Sequence, residues 1–276
     1  MRRLHFSLVF LACCALLPAC SAAVQQHAGA PAPAGDSGNS LYDPKALPSG
    51  PAGEAIVLGH DIIESPQKFL PHNVVAKMSC AACHLGAGTV KRGGSFAGTY
   101  ARFPQWNKRA KRTIALQDRL AECFIYSMNG TPPAYSSKEM IAMVAYIAYL
   151  SRDVPTGAPQ ARDDRFVVPL PSASPDVAHG GKLYAQTCEA CHQANGAGVG
   201  YTFPPLWGST SFNSGAGMAH IDRMAGFVRY NMPKNAPGSL SMQDSYDVAT
   251  FVLSHGRPKF DKKHSIAFPP EPASDF

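Results

Sequence analysis

Charged side chains are scarce in this chain, 16% of 276 residues, and aromatic ones make up 9%. Its basic residues give a net charge of +6 but form no stripe interleaved with aromatics. That excludes a nucleic-acid partner and favours anionic small molecules or proteins. No apolar run outside the N-terminus is long enough to span a bilayer. Nor is there a run of alternating apolar and polar residues of the kind that marks a strand, so a mostly α chain is expected. What is present is apolar material enough for real cores, 45% of the chain. The length suggests about two domains.

The N-terminus reads as an export signal, with Arg2 and Arg3 ahead of an apolar stretch from Leu4 to Leu17. Leu17-Pro18-Ala19-Cys20 is similar to a bacterial lipobox, which would make Cys20 a lipidated first residue and anchor the protein to a membrane. Small residues at Ser21 and Ala23 would equally suit ordinary cleavage. Either exit carries the mature chain out of the cytoplasm, to the periplasm. The expected organisation is a signal at 1–20, a flexible linker rich in Ala, Pro, Gly and Ser at 21–50, a first domain at 51–152, a Pro-rich linker at 153–175, a second domain at 176–258 and a tail at 259–276.

The two domains share a plan. Each has a short helical stretch, a C-x-x-C-H motif, a long Gly- and Pro-containing loop and a closing amphipathic helix. Ser136 with Glu139 is expected to form the capping box of the first closing helix, and Ser241 with Asp244 that of the second. This indicates an internal duplication.

Eight cysteines are present. Cys13, Cys14 and Cys20 belong to the signal. Cys80, Cys83 and His84 form one C-x-x-C-H motif, and Cys188, Cys191 and His192 a second. Two thiols at this spacing can add to the two vinyl groups of one haem, and the histidine that follows reaches the iron. A zinc site would need two further ligands, which Cys123 alone does not supply. The expected fold is therefore all-α, two class I cytochrome c-type domains with one covalently bound haem c each.

The distal ligand of a small cytochrome c usually lies before the last helix, and a methionine there raises the potential. Met232 follows His192 by 40 positions. It is the expected ligand, with Met218, Met224, Met242 and His220 as alternatives, or a role for Met232 in the core. In the first domain Cys123 follows His84 by 39 positions. A thiolate ligand there stabilises ferric iron and lowers the potential, which points to chemistry at the first haem and electron export through the second. The alternatives are a buried inert thiol, or Met128 as ligand.

Residues 78–89 (MSCAACHLGAGT) and 119–130 (RLAECFIYSMNG), followed by SKEM at 137–140, resemble the thiosulfate dehydrogenase family of di-haem cytochromes c. The resemblance is close over residues 59–152 and looser beyond. It implies oxidation of two thiosulfates to tetrathionate, in some members also the reverse. It further implies His84 and Cys123 at a catalytic haem and His192 with Met232 at an electron-transfer haem. By motif position Cys123, Arg109, Arg119 and Ser127 would be the catalytic and substrate-binding residues. An external acceptor, a cytochrome c or a copper protein, would take the electrons. Two departures stand out: Tyr126 occupies a position where many relatives carry Arg, and Arg229, Tyr230, Asn231 and Lys234 flank Met232. Thiosulfate is a dianion, and the forked donors of arginine suit its oxygens, so the basic run Lys108, Arg109, Lys111, Arg112 and Arg119 agrees with this reading. The rival readings are a Sox-type cytochrome that conjugates thiosulfate to a carrier protein, and a non-catalytic electron carrier.

Overall fold

The computed structural model describes residues 41–158 and 168–260. The expected signal, the lipobox-like Cys20 and parts of both linkers and the tail lie outside the described residues. Among those described, no helix is long and apolar enough to cross a membrane.

In the first half, α1 (Pro51–Glu64) leads through a one-turn α2 (Pro66–Phe69) and a loop to the motif and the one-turn α3 (Leu85–Gly88). A short hairpin, β1 (Gln105–Asn107) with β2 (Arg112–Ile114), precedes α4 (Leu116–Tyr126) and the closing helix α5 (Lys138–Tyr149). In the second half, α6 (Val177–Thr187) runs into the motif helix α7 (Glu189–His192), and α8 (Ile221–Asn231) and α9 (Met242–Ser254) complete the domain.

The same helix crossing builds both halves. α1 packs on α5, and α6 on α9. At the first crossing a Cβ on Gly59 would lie 2.1 Å from the Ala142 carbonyl oxygen. At the second, a Cβ on Gly180 would lie 2.0 Å from that of Asp247. Only glycine lets the two backbones touch at these points.

Helix α4 divides the molecule's interior. Leu116, Leu120 and Phe124, spaced by four, bury one face in the core of the first half, with Ile62, Met143 and Tyr146. Ile125, Tyr126 and the following Met128 enter a second core that runs on into Phe212, Ala216, Met224 and Tyr246 of the other half. Backbone bonds tie the halves further: Lys77 N–H donates to the Thr210 carbonyl at 2.8 Å and Asn213 N–H to that of Tyr126 at 3.1 Å.

Several expectations change. The sequence pattern shows no strand, yet β1 pairs antiparallel with β2. Three-residue strands are too short to show alternation. The cap of α5 is Ser137, whose side chain accepts from Met140 N–H, in place of Ser136. Adjacent serines leave that one-residue frame open until the backbone turns. The second capping box, Ser241 with Asp244, forms as expected. The end of the stretch expected to be flexible is packed: Leu41, Tyr42 and Leu47 lie against the first core, and Tyr42 stacks on His60 at 4.5 Å. Likewise Val168, inside the expected interdomain linker, is buried, and its carbonyl accepts from Tyr246 Oη at 3.0 Å. Each carries an apolar side chain that a composition rich in Pro and Gly obscures.

Candidate functional site

Both motifs fold into the same turn. His84 N–H bonds the Cys80 carbonyl at 2.9 Å, and His192 N–H bonds that of Cys188 at 2.9 Å. The turn places two thiols and one imidazole on one side. His84 Nδ1 bonds the Gly94 carbonyl at 2.6 Å and His192 Nδ1 that of Pro204 at 2.9 Å. That fixes the tautomer and leaves each Nε2 free for a metal. Burial, the larger influence, pushes the His84 imidazole down to about 4, so it is a neutral ligand donor. Gly94 has φ 71°, and a Cβ there would lie 2.9 Å from His84 Nδ1. The residues fit a covalent haem at each motif.

Cys123 and Met232, the residues expected at the two distal positions, differ in local structure. Cys123 sits inside α4, whereas Met232 is the residue that ends α8. Cys123 lies close to the first motif. Burial first, and then the charge of Cys123, push the Cys80 and Cys83 thiols up to about 12. In the haem-bearing protein those two sulfurs are thioethers, so the point is one of proximity. Cys123 is also the main influence that raises Arg119. Met128 and Met224 are buried in the shared core, Met232 itself packs against that core together with Met218 and Met242, and His220 is exposed. Beside Met232, the Asn231 side chain donates to the Arg92 carbonyl of the first half at 2.9 Å.

Arg119, Cys123 and Ser127 fall at successive spacings of four, one face of α4. Arg119 and Ser127 of that face line a cleft of about 290 Å³ between the halves, together with Arg109, Tyr126, Gly215 and Arg223 among others, while Cys123 lies between them on the helix without lining the cleft itself. Of the residues expected to bind substrate, Arg109, Arg119 and Ser127 thus converge there. Among the described residues the Ser127 hydroxyl has no hydrogen-bond partner, while Ser127 N–H bonds the Cys123 carbonyl at 2.9 Å. Of the remaining basic run, Lys108 also lines the cleft, Lys111 is exposed and Arg112 pairs with Asp118 at 3.2 Å.

Two residues that the sequence reading missed organise the cations. Glu122, buried on α4, meets Arg119 at 3.3 Å and accepts from the Asn107 side chain at 3.0 and 3.1 Å. Asn107 Oδ1 in turn accepts from the N–H groups of Arg109 and Ala110 at 2.8 and 2.9 Å, which shapes the hairpin turn. The Arg109 guanidinium then lies 3.9 Å above the Tyr126 ring and donates to the Gly215 carbonyl at 2.9 Å. Asn107 beside a basic turn is a turn signal visible in the sequence. Nothing local marks Glu122.

Residues 68–156 match the SoxA/TsdA cytochrome c domain, and residues 175–252 match cytochrome c oxidase, cbb3-type, subunit III. The thiosulfate dehydrogenase of Allochromatium vinosum is 41% identical over 225 residues, 78% of this chain and 83% of that protein. The chain belongs to the thiosulfate dehydrogenase family. The thiosulfate dehydrogenase of Stutzerimonas stutzeri is 38% identical over 81% of this chain and 75% of its own length. A solved thiosulfate dehydrogenase, TsdBA from Marichromatium purpuratum, superposes with a TM-score of 0.75 at 32% identity over 79% of this chain. This chain spans about half, 49%, of that longer one. As a member of the family it has two cytochrome c domains and carries two covalently bound haem c groups.

Proposed function

We propose that this protein is an exported thiosulfate dehydrogenase that joins two thiosulfates into tetrathionate in the interdomain cleft. The observation that carries this reading is the convergence of Arg109, Arg119 and Ser127 on one cleft beside the Cys123 face of α4. The guanidinium groups attract and orient the sulfonate oxygens, and the free Ser127 hydroxyl donates to one of them. Cys80, Cys83 and His84 would hold the first haem, with Cys123 as the further ligand. Cys188, Cys191 and His192 hold the second, with Met232 distal.

The Cys123 thiolate and the outer sulfur of the first thiosulfate form an S–S bond and release two electrons. The outer sulfur of a second thiosulfate attacks the outer sulfur of that adduct. Tetrathionate leaves, and the Cys123 thiolate is restored. When bound, the two haems supply one-electron acceptors that pass the electrons in turn to an external cytochrome c or copper protein. Export to the periplasm, with a lipid at Cys20, fits the N-terminal pattern.

A cleft of about 290 Å³, closed on one side by the second half, suits two small anions better than the carrier protein of a Sox-type transferase. The convergent arginines argue against a plain electron carrier. The test is to mix the haem-loaded protein with thiosulfate and ferricyanide. One tetrathionate per two thiosulfates and two ferricyanides is expected. Intact haems with no tetrathionate in either direction would exclude the dehydrogenase.

A further inference from the structure

Two thiosulfate dianions must meet in one cleft, and their mutual repulsion calls for fixed positive charge on both. The charged groups that face the cleft are Lys108, Arg109, Arg119, Glu122 and Arg223. The arginines of the first half are held in place by their own contacts, Arg119 by Glu122 and Arg109 by the Gly215 carbonyl and the Tyr126 ring, on the side of the cleft that carries Ser127. Among the described residues Arg223 and Lys108 are both exposed, with neither a hydrogen bond nor an ion pair; what sets Arg223 apart is that it comes from the first turn of α8, in the second half. Its Nη1 lies 3.1 Å from where a Cβ on Gly217 would stand, so a side chain at 217 would crowd it. The neighbouring Asp222 acts on Tyr246 in the second core.

We infer that Arg223 binds the second, attacking thiosulfate, so that each half of the molecule holds one of the two substrates. This rests on the thiosulfate dehydrogenase reading. The first thiosulfate, held by Arg119 and Ser127, becomes the Cys123 adduct. Arg223 grips the sulfonate of the second and leaves its outer sulfur facing the adduct. That attack forms the S–S bond of tetrathionate, breaks the bond to Cys123 Sγ and moves no net electrons. Loading of Cys123 is therefore independent of Arg223, and discharge depends on it.

The test uses the full haem-loaded chain as wild type, Arg223→Ala and Arg223→Lys, with haem spectra and thermal unfolding as folding controls. In Arg223→Ala the thiosulfate concentration for half-maximal tetrathionate formation should rise about 10- to 100-fold, the loss of one charge-assisted contact. Lys should restore part of it, since it keeps the charge without the fork. Mass spectrometry after mixing with thiosulfate and ferricyanide should show the Cys123 adduct accumulating in Arg223→Ala and not in wild type. Unchanged half-saturation without adduct accumulation would overturn the assignment. So would loss of the adduct itself in Arg223→Ala, because Arg223 would then serve the first substrate. Failure of wild type to form tetrathionate would instead refute the underlying function, a separate outcome.

Discussion

In the first half, His84 is stacked on Phe96 at 4.3 Å, burial drives its imidazole down to about 4, and neither Cys80 nor Cys83 is exposed. In the second, burial lowers His192 too, but Cys191 is exposed, and so are Val199, Tyr201 and Phe203 in the loop that leads to the Pro204 carbonyl. The helix crossing and the motif turn are the same in both. The surroundings differ, and so do the residues at matching spacing: Cys123 lies within a helix that also carries cleft residues, and Met232 lies where a helix ends. The two halves thus share one scaffold and differ in the residues around each motif.

The strongest way to break this comparison is at Cys123 and Met232, the proposed distal ligands. Cys123→Met should retain both haems and lose at least about 10³-fold in turnover, the scale on which removal of a reacting nucleophile acts. Met232→Ala should instead still form the Cys123 adduct and slow electron delivery to the acceptor. Equal losses in both variants, with no adduct in Met232→Ala, would contradict the division of labour.

The shared crossing can be tested by filling it. Gly59→Val and Gly180→Val each force a side chain onto a carbonyl and should each destabilise by at least about 2 kcal/mol, measured by thermal unfolding. Comparable losses would show that both halves lean on the same contact. No loss in either would mean that the backbones can part there at little cost.

A smaller effect is expected at Tyr126, which has its ring under Arg109. Tyr126→Leu should raise the KM for thiosulfate by about 3- to 10-fold through loss of the cation–π contact, with the haem spectra unchanged. An unaltered KM would show that the Gly215 carbonyl alone orients Arg109.

The smallest effect belongs to the second half. His179 Nδ1 lies 2.8 Å from an Asp247 oxygen, and that hydrogen bond is the main influence that raises His179. Burial alone would lift Asp247, but hydrogen bonds from His179, Asp176 N–H and Gln243 outweigh it and hold the carboxyl below its usual range. A raised histidine stabilises fully below its unfolded value of about 6.5, and that stability is lost as pH rises through the folded pKa. His179→Gln should therefore unfold at a lower temperature than wild type near pH 5–6, and the gap should close as the pH is raised. A gap that widens with pH would show that the pair does not act as a charged bridge.

Much of this was legible locally. C-x-x-C-H fits a covalent haem because three-residue spacing brings two thiols and an imidazole to one side of a single turn. The periodic apolar positions of α5 and α9 announce helices, and the string around Cys123 announces a family. The hairpin was hidden because its strands are too short to show a period. Glu122 reads as one more helical carboxylate until Asn107, fifteen positions away, is placed against it.

By itself the sequence determined that there are two covalently attached haems and that the class is helical, because each depends on residues within a few positions of one another. The tertiary structure decided that nearly equal spacings put Cys123 inside a helix and Met232 at the end of one. It decided that α4 serves both cores. It also decided that Arg223 faces Arg109 and Ser127 across a cleft, because burial and charge act between side chains that the fold, and not the chain order, brings together.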